Sequence, residues 1–439
     1  MNILPLRLYI CSMIMDSQWT GPVPNELWQM IFDHGDQKEF YKISLVCRRL
    51  HQLVEPYLYR DFNWIPDPEV PLPPILFAGE LETEGKGTKN PPFRLLQTIT
   101  NRPELAFYFK HARAFWNQRE AFRSISAADK FLPWIQNQNP FDGHEKEWMS
   151  LFLAGRQDFV AGLLLTRLTN LSSVEIRVPY GSTEDNLVLK ALHTGFLEKG
   201  IYKWCPIKSI TISLDAYAEA DWTPKTSTNS FYGMDKQLLK ILRFPQLEQL
   251  SLSHLHNGIL ALKLASVGAE HPLMGRNLKK LKLPICRLGE SQLRTLLDCT
   301  SNLEELDCEM IYDFRDIGDV CLGNELLDAL PKVSGTLRKL KLSLQIHAAF
   351  HPSDGVHTTM GSMKHFRHLR SLEVPFILIT PKTGVITRRT FQEMLPDELE
   401  SLTIMRYPSI PDFDRNFQAR NALFSYVRYS GLREFHWDR

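Results

Sequence analysis

A chain of 439 residues with 44% hydrophobic and 23% charged content has an ordinary globular composition, long enough for two or three average domains or for one small module plus one long repeat domain. Lys and Arg total 51 against 50 Asp and Glu, so a net charge of +1 supplies no general pull toward nucleic acid or anionic membrane, and recognition must be local. Seven cysteines (Cys11, Cys47, Cys205, Cys286, Cys299, Cys308 and Cys321) include no Cys-x-x-Cys pair, which argues against a zinc or disulfide framework and suits the reduced thiols of a cytoplasmic or nuclear protein.

Residues 1–20 read as a weakly ordered leader. Leu4, Leu6, Leu8, Tyr9 and Ile10 are apolar, but Arg7 interrupts them and no small-residue cleavage site follows; Met15 is an alternative start. No run approaches the roughly 18 uncharged apolar residues of a membrane span. Residues 21–62 then read as three short amphipathic helices. Pro24 suits a first helical turn, and Glu26 places a carboxylate near the positive end of the helix it opens. Leu27, Met30, Ile31 and His34 recur at helical spacing, followed by Phe40, Ile43, Ser44, Val46 and Cys47, and then by Leu50, Leu53 and Val54. About 40 residues can barely bury a core of their own, so this unit is expected to press an apolar face onto a partner.

The same residues resemble the F-box, the adaptor-binding module of Skp–cullin–F-box ubiquitin ligases. Val23-Pro24, Glu26-Leu27, Ile31-Phe32, Glu39-Phe40 and Ser44-Leu45-Val46-Cys47-Arg48-Arg49 align with that family's pattern without a gap, and the Tyr57-Leu58-Tyr59-Arg60 ending is similar to that of F-box proteins from filamentous fungi. The chain departs at Val23, Gly35 and Leu50, where the family usually carries Leu, Leu and often Trp. The resemblance implies a Skp-type adaptor and, through it, a cullin as partners. It implies that Pro24, Leu27, Ile31, Phe32, Leu45, Val46 and Cys47 include the adaptor contacts and the helix-packing positions.

Residues 63–92 carry Pro66, Pro68, Pro71, Pro73, Pro74, Pro91 and Pro92 with a Glu/Gly/Lys run between, and read as a linker at a domain boundary. Across 93–439 one pattern, Leu-x-x-Leu-x-Leu, returns at intervals of roughly 25 to 40 residues. It starts at Leu171, Ile207, Leu247, Leu278, Leu303, Leu337, Leu369, Leu399 and Leu432, with Phe109, Ala112 and Ala114 as a degenerate earlier instance. Positions one, four and six of each instance point into a core, and helical patterns such as Trp148 to Leu168, Ser291 to Leu297 and Phe417 to Val427 lie between instances. The expected fold class is therefore α/β: a three-helix module followed by an irregular leucine-rich-repeat-like arc, with parallel strands inside and helices outside.

No nucleophile elbow, phosphate loop, dinucleotide fingerprint or metal-binding helix is present as a sequence motif. His347, His351, His357, His365 and His368 fit no standard zinc spacing, so no enzyme activity, cofactor or metal is expected. Positions three, five and seven of each repeat should instead project from the open face of the sheet. There Lys280 and Lys282, then Glu305, Asp307 and Glu309, then Lys339 and Lys341 alternate in sign on successive strands about 4.8 Å apart. These are the candidate target-binding residues, although cross-strand ion pairing alone would produce the same pattern. The expected function is the substrate receptor of a Skp–cullin–F-box ligase, with the repeat arc holding an unknown protein target and with no nucleic acid or membrane partner. A protein-interaction scaffold without ubiquitin transfer is the alternative.

Overall fold

The Leu-x-x-Leu-x-Leu segments become strands because alternate residues face opposite sides of an extended chain, and burying one apolar row fixes the register of every neighbour. The computed structural model describes residues 28, 32–33, 35, 37–64, 91–115, 150, 157–178, 188, 206–214, 241–253, 275–286, 290–313, 329–347, 360–380, 386–405 and 413–437. Within them lie β1 (Asp61–Trp64), β2 (His111–Phe115), β3 (Ser173–Val178), β4 (Ser209–Leu214), β5 (Gln249–Leu252) and β6 (Lys280–Cys286). They continue as β7 (Glu305–Asp313), β8 (Lys339–His347), β9 (Ser371–Pro375), β10 (Ser401–Met405) and β11 (Glu434–Trp437). All pair in parallel, in strict chain order, as one 11-stranded sheet. An N-terminal helical region followed by a long parallel sheet of this order is consistent with a repeat arc.

The fourth repeat position runs in unbroken register as Phe62, Ala112, Val174, Ile210, Leu250, Leu281, Leu306, Leu340, Leu372, Leu402 and Phe435. All but Phe435 are buried. Each large side chain in that row contributes about 1.5–3 kcal/mol by leaving water. The turn before each strand is tied in the same way from β1 to β11: the residue just before a strand and the strand's first residue both donate to the carbonyl of position two in the preceding repeat. Lys110 and His111 donate to Arg60 at 2.8 and 3.2 Å, and Lys279 and Lys280 to Glu248 at 2.8 and 2.9 Å. Where Pro284 withholds an N–H, the β6–β7 pairing slips between Leu283 and Cys286, and Ile285 takes a left-handed φ of 55°.

Helices cover the apolar side. The helical elements are α1 (Gln37–Ser44), α2 (Arg48–Leu58), α3 (Pro91–Asn101), α4 (Gln157–Arg167), α5 (Glu290–Asp298), α6 (Arg388–Met394) and α7 (Phe413–Tyr429), with 3-10 turns at Pro103–Tyr108, Leu330–Val333 and Phe376–Ile379. Phe159 through Leu165 of α4 are all buried, and their apolar side chains belong to one core that extends from Phe62 to Tyr426. Among the described residues no helix is long and apolar enough to cross a membrane.

The sheet starts earlier than the expected boundary at Phe93. Tyr59-x-x-Phe62-x-Trp64 repeats the spacing of the later strands, and β1 pairs with β2 from Asp61↔His111 to Trp64↔Ala114. The last helix of the 21–62 unit thus runs directly into the first strand. The Pro-rich stretch, expected as a linker over 63–92, follows β1 instead of preceding the sheet, and residues 65–90 lie outside the described residues.

Candidate functional site

Two surfaces carry the residues singled out from sequence. The first is the N-terminal helical unit. Trp28, Phe32, Phe40 and Val54 form a small core separate from that of the sheet, with Ile43, Leu50, Leu53, Tyr57 and Leu58 packed around it. The rings of Phe32 and Phe40 meet edge-on at 5.9 Å, and Tyr57 tilts against both at 5.3 and 5.7 Å. Burial, followed by the neighbouring Asp33 charge, holds the Tyr57 phenol above its usual value. Phe32 is 1% exposed, so it is a packing position, out of a partner's reach.

The turn between α1 and α2 presents apolar groups to solvent. Leu45 and Val46 close it with backbone donors to Lys42 at 3.2 Å and Ile43 at 3.1 Å, which leaves both side chains projecting, each 68% exposed. Tyr41, one helical turn before Leu45, is 61% exposed and extends the patch. Cys47 follows in extended backbone as the N-cap of α2, its Sγ accepting from the Leu50 N–H at 3.5 Å, so its thiol starts a helix while the residue remains exposed. The sequence reading overlooked Tyr41, although its i, i+4 spacing to Leu45 was available. Pro24, Leu27 and Ile31 lie outside the described residues.

The second surface is the open face of the sheet, where register places the charged residues as expected. Lys280, Glu305 and Lys339 form one row, and Lys282, Asp307, Lys341 and Glu373 the next. The charges pair with each other: Lys280 with Glu305 at 3.0 Å, Lys339 with the same Glu305 oxygen at 4.0 Å, and Lys341 with Glu373 at 2.8 Å. Glu309 stands one step further, opposite Ser343. Hydrogen bonding to Glu373 raises the Lys341 pKa. Burial raises that of Asp307, opposed by Lys341 and Lys282. With side chains 30–65% exposed, each such pair is worth under about 1 kcal/mol. The stripe therefore satisfies much of its own charge.

A further ladder was not anticipated. Asn170, Asn277 and Asn302, each just before a repeat's first leucine, donate from Nδ2 to the preceding turn at Phe107, Pro245 and Arg276 (2.8, 2.6 and 2.9 Å). Thr336 Oγ1 takes the same place, 3.3 Å from the equivalent carbonyl of Ser301, although its shorter contact, 2.8 Å, is to the Leu303 carbonyl. The signal was an amide or hydroxyl one residue upstream of the Leu-x-x-Leu-x-Leu pattern.

Compared with known families, the chain matches the F-box-like model over residues 23–63, which supports an F-box protein. The match takes in the helical unit, the exposed Leu45–Val46 turn and the first three residues of β1. No curated protein was found to match the chain.

Proposed function

We propose that this chain is the substrate-recognition subunit of a Skp–cullin–F-box ubiquitin ligase and carries out no chemistry of its own. The helical unit binds a Skp-type adaptor through Tyr41, Leu45 and Val46, and the leucine-rich-repeat-like arc binds the protein to be ubiquitinated. F-box domains generally work in protein–protein interaction, usually in that role. The carrying observation is the pair of adjacent apolar side chains, Leu45 and Val46, held 68% exposed within the matched segment. A small module that leaves such groups in water is stabilised by a partner that covers them.

Co-purification of the full chain with the adaptor tests this. The parent should form a complex, and Leu45→Asp with Val46→Asp should weaken it at least about tenfold without lowering the melting temperature, because neither side chain belongs to a core. Failure of the parent to bind, or binding indifferent to the double substitution, removes the ligase reading. A complex that recruits neither cullin nor ubiquitin transfer leaves the non-catalytic scaffold.

A further inference from the structure

We propose that a groove along the edge where the strands begin binds an extended acidic segment of a partner protein. Position two of each repeat stands at this edge, immediately before its strand. From β4 to β8 these residues are Lys208, Glu248, Lys279, Glu304 and Arg338, so cation and carboxylate alternate strand by strand. Together with Arg276 they line a cavity of about 670 Å³. Its ion pairs are long: Lys208 to Glu248 at 3.7 Å, Lys279 to Glu248 at 3.9 Å and Arg338 to Glu304 at 3.9 Å. Arg276 makes no ion pair among the described residues, and the four cations outnumber the two carboxylates. On the open face, by contrast, the best pairs close to 2.8 and 3.0 Å. The groove thus keeps positive charge that an incoming anion can engage with little displacement of existing contacts.

Geometry narrows the occupant. Cations on every second strand are about 9.6 Å apart, twice the usual strand spacing. A polyproline II segment rises about 3.1 Å per residue with three residues per turn, so every third side chain lies on one face at about 9.3 Å intervals. A peptide with an acidic residue at every third position therefore meets Lys208, Lys279 and Arg338 in turn. A nucleic acid strand, charged at every nucleotide, would also face Glu248 and Glu304, so a peptide is favoured. Gly335 lines the same groove, and a Cβ built there meets nothing within 4 Å, which leaves room for a blocking side chain.

This site needs neither the adaptor nor ubiquitin transfer, so it fails or holds apart from the proposed function. The test titrates the purified full chain against a fluorescent peptide repeating Glu-Pro-Pro and against one of equal composition with its glutamates contiguous. The spaced peptide should bind at least about tenfold more tightly, and more weakly as salt rises. Lys279→Glu with Arg338→Glu, and separately Gly335→Trp, should each reduce its affinity about tenfold or more, while Lys282→Glu on the open face should not. Unchanged melting temperatures would show that the variants fold. No binding, equal affinity for the two peptides, equal loss in Lys282→Glu, or tighter binding of a single-stranded oligonucleotide would each overturn the proposal.

Discussion

Gly35 lies outside the helices and against the edge of the buried Phe40 ring, where an added Cβ would overlap it. Its side-chain-free position is explained by packing, since the ring is wedged against Phe32 and Tyr57 and has no room to retreat. Gly35→Ala is therefore expected to cost about 1–3 kcal/mol by overpacking, read as faster amide exchange in α1 and α2, even though alanine is the better helix former. Asp307 allows a pH prediction. Burial lifts its folded-state pKa above the ordinary carboxylate value despite Lys341 and Lys282, so the folded chain holds that proton more tightly than the unfolded chain. The penalty for ionising Asp307 is absent below the unfolded pKa and fully present above the raised folded one. Asp307→Asn should accordingly raise the melting temperature at neutral pH and leave it unchanged in acid below the usual Asp range; a neutral-pH gain that persists in acid would contradict this assignment.

Between elements, the decisive joint is that of α2 with the first repeat. Glu55 on α2, its side chain only 14% exposed, accepts from Arg102 at 2.8 Å, and the Tyr59 ring meets Phe109 at 5.8 Å. The Glu55 hydrogen bond, then that of Glu104, raises the Arg102 pKa further, so this guanidinium stays charged at any working pH. Arg102→Ala should speed hydrogen exchange in α2 and β1 and leave exchange in β7 and β8 at parental rates; uniform change along the sheet would show that the joint is not local. This joint also marks what the sequence could and could not show. Strands β3 to β11 were legible because a leucine or isoleucine opens each motif, and the charged rows of the open face followed from their spacing. β1 was hidden because its motif, Tyr59-x-x-Phe62-x-Trp64, contains no leucine and sits within a segment already assigned to a helical unit. Which open-face charges pair, and that Lys341 prefers Glu373 while Asp307 lies half-buried between lysines, depends on side-chain reach across strands, which spacing does not encode.

Along the sheet each fourth-position residue lies between the same position of the neighbouring strands and shares a core with the helices, so stability is expected to approach a sum of local and interface terms, and the position of a defect decides its cost. Leu306, buried between Leu281 and Leu340, should lose about 2–5 kcal/mol as Leu306→Ala, whereas Phe435→Ala on the half-buried terminal strand should lose less. The N-terminal end follows the same rule. A chain beginning at Tyr59 keeps β1 over β2, while one beginning at residue 65 removes Phe62 from the fourth-position row and bares the β2 edge. The first truncation should melt close to the full chain and keep its association state, and the second should melt several degrees lower and self-associate more. Equal melting of the two would show that β1 contributes nothing to the sheet. If the difference appears, a deletion that removes the whole helical unit through β1 damages the sheet as well as the proposed adaptor surface. Loss of target capture in that deletion would then be ambiguous, and Leu45→Asp with Val46→Asp, which leaves β1 in place, would be the variant that separates adaptor binding from target binding.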